Sequence, residues 1–171
     1  MAVPIRSCTS KARTSIAAGS SRRSWNPAAR AAATSVAATW ALSCAAWAAV
    51  ADGTVDVVGS DHAPHSRAAK ERPWPGTAAG LTGVQTIVPL MLDHVNAGRL
   101  SLPRLADLMC AGPARVYGAV NKGRLAAGYD ADFTVVDMGR ERTIEESWIA
   151  SPCGWTPFAG MRVTGWPVAT V

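Results

Sequence analysis

The sequence predicts an α/β fold in which one buried strand and several helices are followed by a small all-β tail. Three observations lead to this prediction. The run Val55–Ser60 is rich in β-branched residues and bounded by glycine, as in a strand of a parallel sheet. Apolar residues recur at three- and four-residue spacing over 83–97, which indicates an amphipathic helix. After Asn121 the apolar residues form short extended runs separated by Gly, Asp and Pro.

The first 46 residues form a low-complexity segment rich in Ala, Ser and Arg, for which no specific core is predicted. Residues 1–51 carry six basic and no acidic side chains, whereas the remainder carries 11 basic and 12 acidic ones. The net charge of +5 therefore belongs to the N-terminal segment, and the rest of the chain gives no electrostatic reason to expect a nucleic-acid partner.

Four interpretations of this segment compete. Its composition suits an organelle transit peptide. A membrane span over 31–51 would be mostly Ala, Ser and Thr with a single leucine, and a basic arm for nucleic acid would need more clustering than Arg22–Arg23 provide. We favour the fourth, that the segment is not native to the fold and reflects a mis-started or wrong-frame translation.

The four cysteines lie far apart and form no Cys-x-x-Cys pair, which excludes a zinc ribbon and a thioredoxin motif. A reduced, cytoplasmic chain without a membrane span is therefore expected.

From Trp47 onwards the local signals agree with one another, and a domain boundary is predicted near residue 120. A helix over 45–51 should end at the turn Asp52–Gly53. After the strand, residues 66–82 should form a loop rich in Gly, Pro and charged residues. Ser101 can cap a further helix that has Pro103 in its first turn, and one more short helix is predicted over 113–118. The predicted strands of the tail over 121–171 are Arg124–Leu125, Phe133–Val136, Met161–Val163 and Val168–Val171.

The stretch GSDHAPH, residues 59–65, directly follows the predicted strand. Side chains at the carboxyl end of a parallel strand point into the mouth where α/β enzymes place their sites. Asp61 at that position could ligate a divalent metal and accept a proton from metal-bound water. Pro64 stiffens the backbone before His65, which could bind an anionic group of a substrate. The alternative for Asp61 is an ordinary Asx-turn or helix cap.

The other titratable residues nearby have weaker cases. His62 is interpreted as a structural hydrogen-bonding group because neighbouring side chains diverge. His94 lies in the predicted helix and is interpreted as a solvated or core histidine. Asp56 is expected to pair with a cation.

GSDHAPH followed by Lys70 resembles the second signature of the dihydroorotases, and residues 79–86, AGLTGVQT, resemble the stretch that follows it in the bacterial long-chain type. Residues 112–118 and 122–133 are similar to the tail shared across the cyclic amidohydrolases. The resemblance covers about Trp47 to Val171, and the first motif is its most specific part.

The resemblance implies an α/β fold: the C-terminal fragment of a (β/α)8 metal-dependent hydrolase barrel over 47–120, then a small β-sandwich portion over 121–171. The family reaction is the reversible closure of N-carbamoyl-aspartate to dihydroorotate in pyrimidine biosynthesis, at one or two zinc ions. By position, Asp61 matches the metal-contacting catalytic aspartate and His65 matches the residue that binds the substrate carboxylate. Ala79 and Gly80 match the backbone pair that contacts the pyrimidine ring.

The family's other metal ligands are a His-x-His pair, a modified lysine and two further histidines on earlier strands, and residues 1–50 contain no histidine. We therefore expect this chain by itself to bind zinc poorly and to lack dihydroorotase activity. Two other functions stay open: a metal-free scaffold for aspartate transcarbamoylase, and an allantoinase or hydantoinase relative. The setting of His65 favours an acidic substrate and thus dihydroorotase.

Overall fold

The computed structural model describes residues 44–171. The first three elements of this region are helices: α1 spans Cys44–Asp52, α2 spans Arg67–Lys70 and α3 spans Ile87–Asn96. A continuous helical stretch follows, made of α4 over Leu102–Ala106, a π-helical turn over Asp107–Ala111 and α5 over Gly112–Tyr117. Two strands complete the order, β1 over Thr134–Thr143 and β2 over Arg162–Thr170, with a 3₁₀ turn at Glu146–Trp148 between them.

The helices begin and end where local chemistry places their boundaries. The Ser101 hydroxyl accepts a hydrogen bond from the Arg104 N–H at 3.2 Å, and Pro103 lies in the first turn, as predicted. The Ser66 hydroxyl caps the short α2, which lies inside the predicted 66–82 loop. Helix α5 ends at Gly118, whose φ of 67° is the left-handed conformation that glycine adopts without a steric penalty.

The predicted strand over 55–60 is wrong as an element of a sheet. The segment is extended but belongs to no sheet within residues 44–171. The bridge that follows it, between His62 and Leu81, is a single isolated parallel bridge. A parallel strand needs neighbouring strands for its backbone groups, and here helical elements take their place. The Val58 N–H donates to the carbonyl of Leu108 at 3.3 Å, and the Arg104 guanidinium donates to the carbonyls of Val50 and Val55.

The tail contains a two-stranded antiparallel sheet among the described residues, and the predicted β-sandwich is not confirmed. Thr134 pairs with Thr170 and Thr143 with Arg162, with a bulge where Asp137 and Glu141 face Trp166 and Thr164. The predicted strand at 124–125 does not form, and Leu125 is 78% exposed. The two short strands predicted after residue 160 are one continuous strand, because the pairing with β1 carries through the turn signals Gly165 and Pro167.

The core lies between α3, the helical stretch 102–117 and strand β2. Its fully buried side chains include Met91, Leu92, Leu108, Ile144 and Val163. Helix α3 is fixed to the sheet by polar contacts at its edge: the Asp93 carboxylate accepts from the Thr164 N–H at 2.9 Å, and the Asn96 amide donates to the carbonyls of Met138 and Thr164. No helix within residues 44–171 is long and apolar enough to cross a membrane.

Gly112 is a point of close backbone approach in this core. A Cβ at this position would lie 2.3 Å from the carbonyl oxygen of Asp56 and 2.7 Å from that of Asp107. Both neighbours are backbone atoms, so neither can move aside at low cost. Gly112 is therefore what allows the extended segment to pack directly on the helical stretch.

We expect Gly112→Ala to lower the free energy of unfolding by about 1–3 kcal/mol, the usual cost of overpacking a core. Chemical denaturation of the complete chain measures it. Gly59→Ala is the matched control, because Gly59 lies in the same extended segment and has nothing within 4 Å of its Cβ position. Equal effects of the two substitutions would contradict the close packing at Gly112.

His94 is a core histidine, one of the two alternatives that the sequence left open. It is 6% exposed, its ring stacks edge-on against Trp47 at 4.4 Å, and its Nδ1 lies 2.8 Å from the Arg99 guanidinium. Burial and the positive charge of Arg99 lower the pKa of His94 to about 4, and the opposing effect of Asp93 is smaller. The imidazole is thus neutral and accepts the hydrogen bond from Arg99.

This lowered pKa predicts a pH-dependent stability. Between about pH 6.5 and pH 4 the unfolded chain binds a proton at His94 that the folded chain does not. The contribution of His94 to the free energy of unfolding should therefore be constant above pH 6.5. Between pH 6.5 and about pH 4 it should fall by about 1.4 kcal/mol for each unit by which the pH drops. Denaturant titrations at pH 7.5 and pH 5 measure the slope. His94→Gln should flatten it, and an unchanged slope in that variant would contradict the assignment.

Candidate active-site loop

Asp61 lies at the end of the extended segment with its carboxylate uncommitted. Its side chain is exposed and makes no hydrogen bond or ion pair with any residue of the described region. Its φ of 46° is in the left-handed region, which residues other than glycine rarely occupy. The structure therefore gives no support to the turn-cap alternative, because such a cap would engage the carboxylate.

His62, the neighbour of Asp61, joins two segments of the loop. Its Nδ1 accepts hydrogen bonds from the backbone N–H groups of Gly83 at 3.1 Å and Val84 at 3.3 Å. A ring nitrogen that accepts carries no proton, so the neutral imidazole has its N–H at Nε2. These contacts agree with the interpretation of His62 as a structural hydrogen-bonding group.

His65 lies on the same loop and is half-buried. Its carbonyl accepts a hydrogen bond from the indole Nε1–H of Trp155 at 2.7 Å. Its imidazole makes no hydrogen bond or ion pair within residues 44–171. The backbone of His65 is thus held while its ring is left for another partner.

The predicted backbone pair Ala79 and Gly80 lies directly beside this loop. A Cβ on Gly80, whose φ is 101°, would lie 2.5 Å from the Cβ of Ala63, so only glycine permits this approach. The Ala63 N–H donates to the carbonyl of Leu81 at 2.9 Å. The structure therefore places the arm that carries Asp61 and His65 against the arm that carries Ala79 and Gly80.

Lys70 belongs to the sequence signature, and its contacts in the structure show what it does there. Its ammonium donates to the carbonyls of Ala78 at 2.7 Å and Gly80 at 3.0 Å. Lys70 thus fixes the arm of the loop that carries Ala79 and Gly80. A cation is suited to this task because it can donate to two carbonyls at once.

Further contacts come from a segment over 148–156 near the C-terminus, called here the C-terminal strap. Thr82 donates to the carbonyl of Trp155 at 2.9 Å, while Gln85 donates to the carbonyl of Trp148 and accepts from the N–H of Ala150. Residues of the loop and strap enclose a cavity of about 370 Å³, lined by His62, Pro64, 82–86 and 149–152. These contacts span more than 60 residues of sequence, so no local pattern could have revealed them.

The described residues do not fit a complete zinc site. Within 44–171 no group of three or more His, Cys, Asp or Glu side chains is placed to hold a metal ion. Asp61 offers one carboxylate, but His62 uses Nδ1 for backbone amides and His94 is buried in the core. Ligands in addition to these residues would be needed to hold an ion beside Asp61.

A model of the amidohydrolase family matches residues 34–171. The chain belongs to the amidohydrolase family. It is 45% identical over 117 residues to the dihydroorotase of Pyrococcus furiosus, an alignment that covers 68% of this chain and 27% of that protein. It is also 39% identical over 130 residues to the L-hydantoinase of Paenarthrobacter aurescens, covering 73% of this chain and 28% of that protein.

Solved structures of the family have the same fold over this region. The L-hydantoinase (dihydropyrimidinase) from Arthrobacter aurescens superposes with a TM-score of 0.69 at 39% identity, over 73% of this chain and 29% of that chain. The D-hydantoinase (dihydropyrimidinase) from Thermus sp. gives a TM-score of 0.69 at 28% identity, over 73% of this chain and 28% of that chain. These matches confirm the resemblance to amidohydrolases and support the barrel ancestry of the helical region.

The chain spans under a third of the length of these amidohydrolase relatives. One arm of the matched region carries Asp61 and His65, and the other carries Ala79 and Gly80. The predicted site residues are therefore together in one loop. The roles of these residues remain predictions.

The backbone at Asp61 makes a testable prediction. Glycine removes the steric penalty of a positive φ, and no contact of the carboxylate would be lost, so Asp61→Gly should raise the free energy of unfolding by about 0–1 kcal/mol. Asn121→Gly, at a φ of 58°, is the matched control for the backbone effect. Denaturation of the complete chain measures both, and a loss of more than about 1 kcal/mol at Asp61 alone would mean that the carboxylate stabilises the fold.

Proposed function

We propose that this chain forms one wall of the active site of a dihydroorotase-like cyclic amidohydrolase, with Asp61 as general base and acid. His65 binds the substrate carboxylate, and the backbone of Ala79 and Gly80 contacts the ring. The single observation that carries the proposal is the uncommitted carboxylate of Asp61, held at positive φ on a loop shared with His65 and Gly80. The 45% identity to a dihydroorotase supports the choice of this reaction.

The chemistry of a cyclic amide explains why a free carboxylate is useful here. Ring opening requires water to lose a proton as it attacks the carbonyl carbon, and it requires the leaving nitrogen to gain one. A carboxylate without a hydrogen-bond partner can take the first proton and deliver it to the nitrogen. Ring closure of N-carbamoyl-aspartate to dihydroorotate uses the same two transfers in reverse.

One or two zinc ions are expected from the resemblance, and when bound they would polarise the carbonyl and acidify water. Of the described residues, Asp61 is the one that the resemblance assigns to such an ion. We therefore propose that the 171-residue chain binds zinc weakly by itself and does not turn over dihydroorotate. Residues in addition to those of this chain would be needed to complete the site.

A hydantoinase-type reaction is the second candidate, and the 39% identity to an L-hydantoinase favours it. Both candidates open a cyclic amide, and they differ in whether the substrate carries a carboxylate. His65, with its unengaged imidazole, favours an acidic substrate. A metal-free scaffold for aspartate transcarbamoylase has less support, because such a scaffold has no need to keep both Asp61 and His65.

A cytoplasmic location remains a prediction.

The proposal is tested by a graft in which residues 44–171 replace the matching segment of the Pyrococcus furiosus dihydroorotase. We expect the graft to hydrolyse dihydroorotate, and Asp61→Asn in the graft to lower kcat by about 10²- to 10⁴-fold, the usual contribution of a general acid–base group. Steady-state assays with dihydroorotate and hydantoin measure activity and substrate preference.

The ungrafted chain assayed with added zinc is the control and should show no turnover. Preference for hydantoin would favour the second candidate. Full activity of the Asp61→Asn graft would refute the role of Asp61, and turnover by the chain alone would refute its incompleteness.

A further inference from the structure

We propose that Trp155 is a positioning residue for His65, so that the C-terminal strap sets how the loop receives the acidic group of the substrate. The geometric part of this inference stands on the hydrogen bonds of Trp155. The part that concerns substrate binding rests on the proposed function. Neither the family signature nor the pattern of the sequence points to Trp155.

Trp155 connects the two arms of the active-site loop through different atoms. Its indole Nε1–H donates to the His65 carbonyl at 2.7 Å, and its own carbonyl accepts from the Thr82 hydroxyl at 2.9 Å. Trp155 is 9% exposed and Thr82 is 4% exposed, so water cannot readily replace either bond. An indole has a single donor and no acceptor, and here this donor is committed to His65.

The strap keeps its place without the indole bond. Gln85 donates to the carbonyl of Trp148 and accepts from the N–H of Ala150, so it holds the strap by both ends of its amide. The exposed ion pair between Arg67 and Glu146 adds a contact nearby, although such pairs contribute little to stability. Loss of the indole donor should therefore release His65 rather than detach the strap.

Asp61 has a separate attachment. The neighbouring His62 accepts from the N–H groups of Gly83 and Val84, and neither bond involves the strap. Pro64 lies between the two attachments and restricts the backbone there. The proposed general base and the proposed carboxylate-binding residue are thus supported by different hydrogen bonds, and loss of the indole donor alone should leave the bonds of His62 in place.

The first experiment uses the complete 171-residue chain and hydrogen exchange measured by NMR. In Trp155→Phe, the amides of Ala69 and Lys70, which donate to the Ser66 carbonyl just after His65, should exchange roughly tenfold faster. The amide of Ala63, which donates to Leu81 on the other arm, should change by less than about twofold. Trp74→Phe is the matched control, because Trp74 is 85% exposed and should change neither.

Thr82→Val provides a second, nearly isosteric variant in case the smaller ring of Trp155→Phe disturbs the fold. It removes the bond to the Trp155 carbonyl, and we expect faster exchange at Ala69 and Lys70 in this variant also. Unchanged exchange at both amides in folded Trp155→Phe and Thr82→Val proteins would overturn the positioning role.

The second experiment places Trp155→Phe in the graft with the dihydroorotase. We expect KM for dihydroorotate to rise about tenfold while kcat stays within about twofold, because substrate binding is weakened and proton transfer is not. A fall in kcat with an unchanged KM would overturn the link to His65. If the parent graft is inactive, the proposed function fails, and the exchange measurements still decide whether Trp155 positions His65.

Discussion

Within residues 44–171 the extended segment 55–63 belongs to no sheet and makes only the isolated bridge between His62 and Leu81, and this constraint shapes the packing around the loop. Its backbone groups must find partners elsewhere, since buried N–H and carbonyl groups left unpaired are costly. The Leu108 carbonyl and the Arg104 guanidinium supply partners at one end, and the Leu81 carbonyl supplies one at the other. Gly112 and Gly80 permit the close approaches that bring these partners within reach. These contacts hold the backbone on both sides of Asp61, and the Asp61 carboxylate takes no part in them.

Three side chains support the active-site loop, two on the arm that carries Asp61 and His65 and one on the arm that carries Ala79 and Gly80. His62 ties the Asp61 region to the turn before α3, Lys70 holds the Ala79–Gly80 arm, and Trp155 holds His65. All three donate to or accept from main-chain groups, so the side chains assigned to chemistry are not used to build the loop. This division is a general requirement of active sites, because a group that stabilises the fold through its own polar atoms is less free to react.

The sequence predicted the local features well and the distant ones poorly. The helix cap at Ser101 and the helix end at Gly118 follow from chemistry within a few residues, and both occur. The position of Asp61 after an extended run was also readable from the chain. The predicted strand failed because a strand is defined by its neighbours, and no pattern within 55–61 states whether they are present. Trp155 and Gln85 were missed for the same reason, since their partners on the loop and strap lie 90 and more than 60 residues away.

The surface of the described region includes the edges of the small sheet, several apolar side chains and the proposed site residue Asp61. Strands β1 and β2 pair only with each other among residues 44–171, so no further strand of this region pairs with the outer edge of either. Four apolar side chains, Tyr117, Val120, Leu125 and Val171, are each at least 75% exposed. The carboxylate of Asp61 is likewise exposed, and within this region it belongs to no group of three or more side chains that could hold a metal ion. These properties of residues 44–171 agree with the extent of the alignments, in which the chain matches 27% of the dihydroorotase and 28% of the L-hydantoinase.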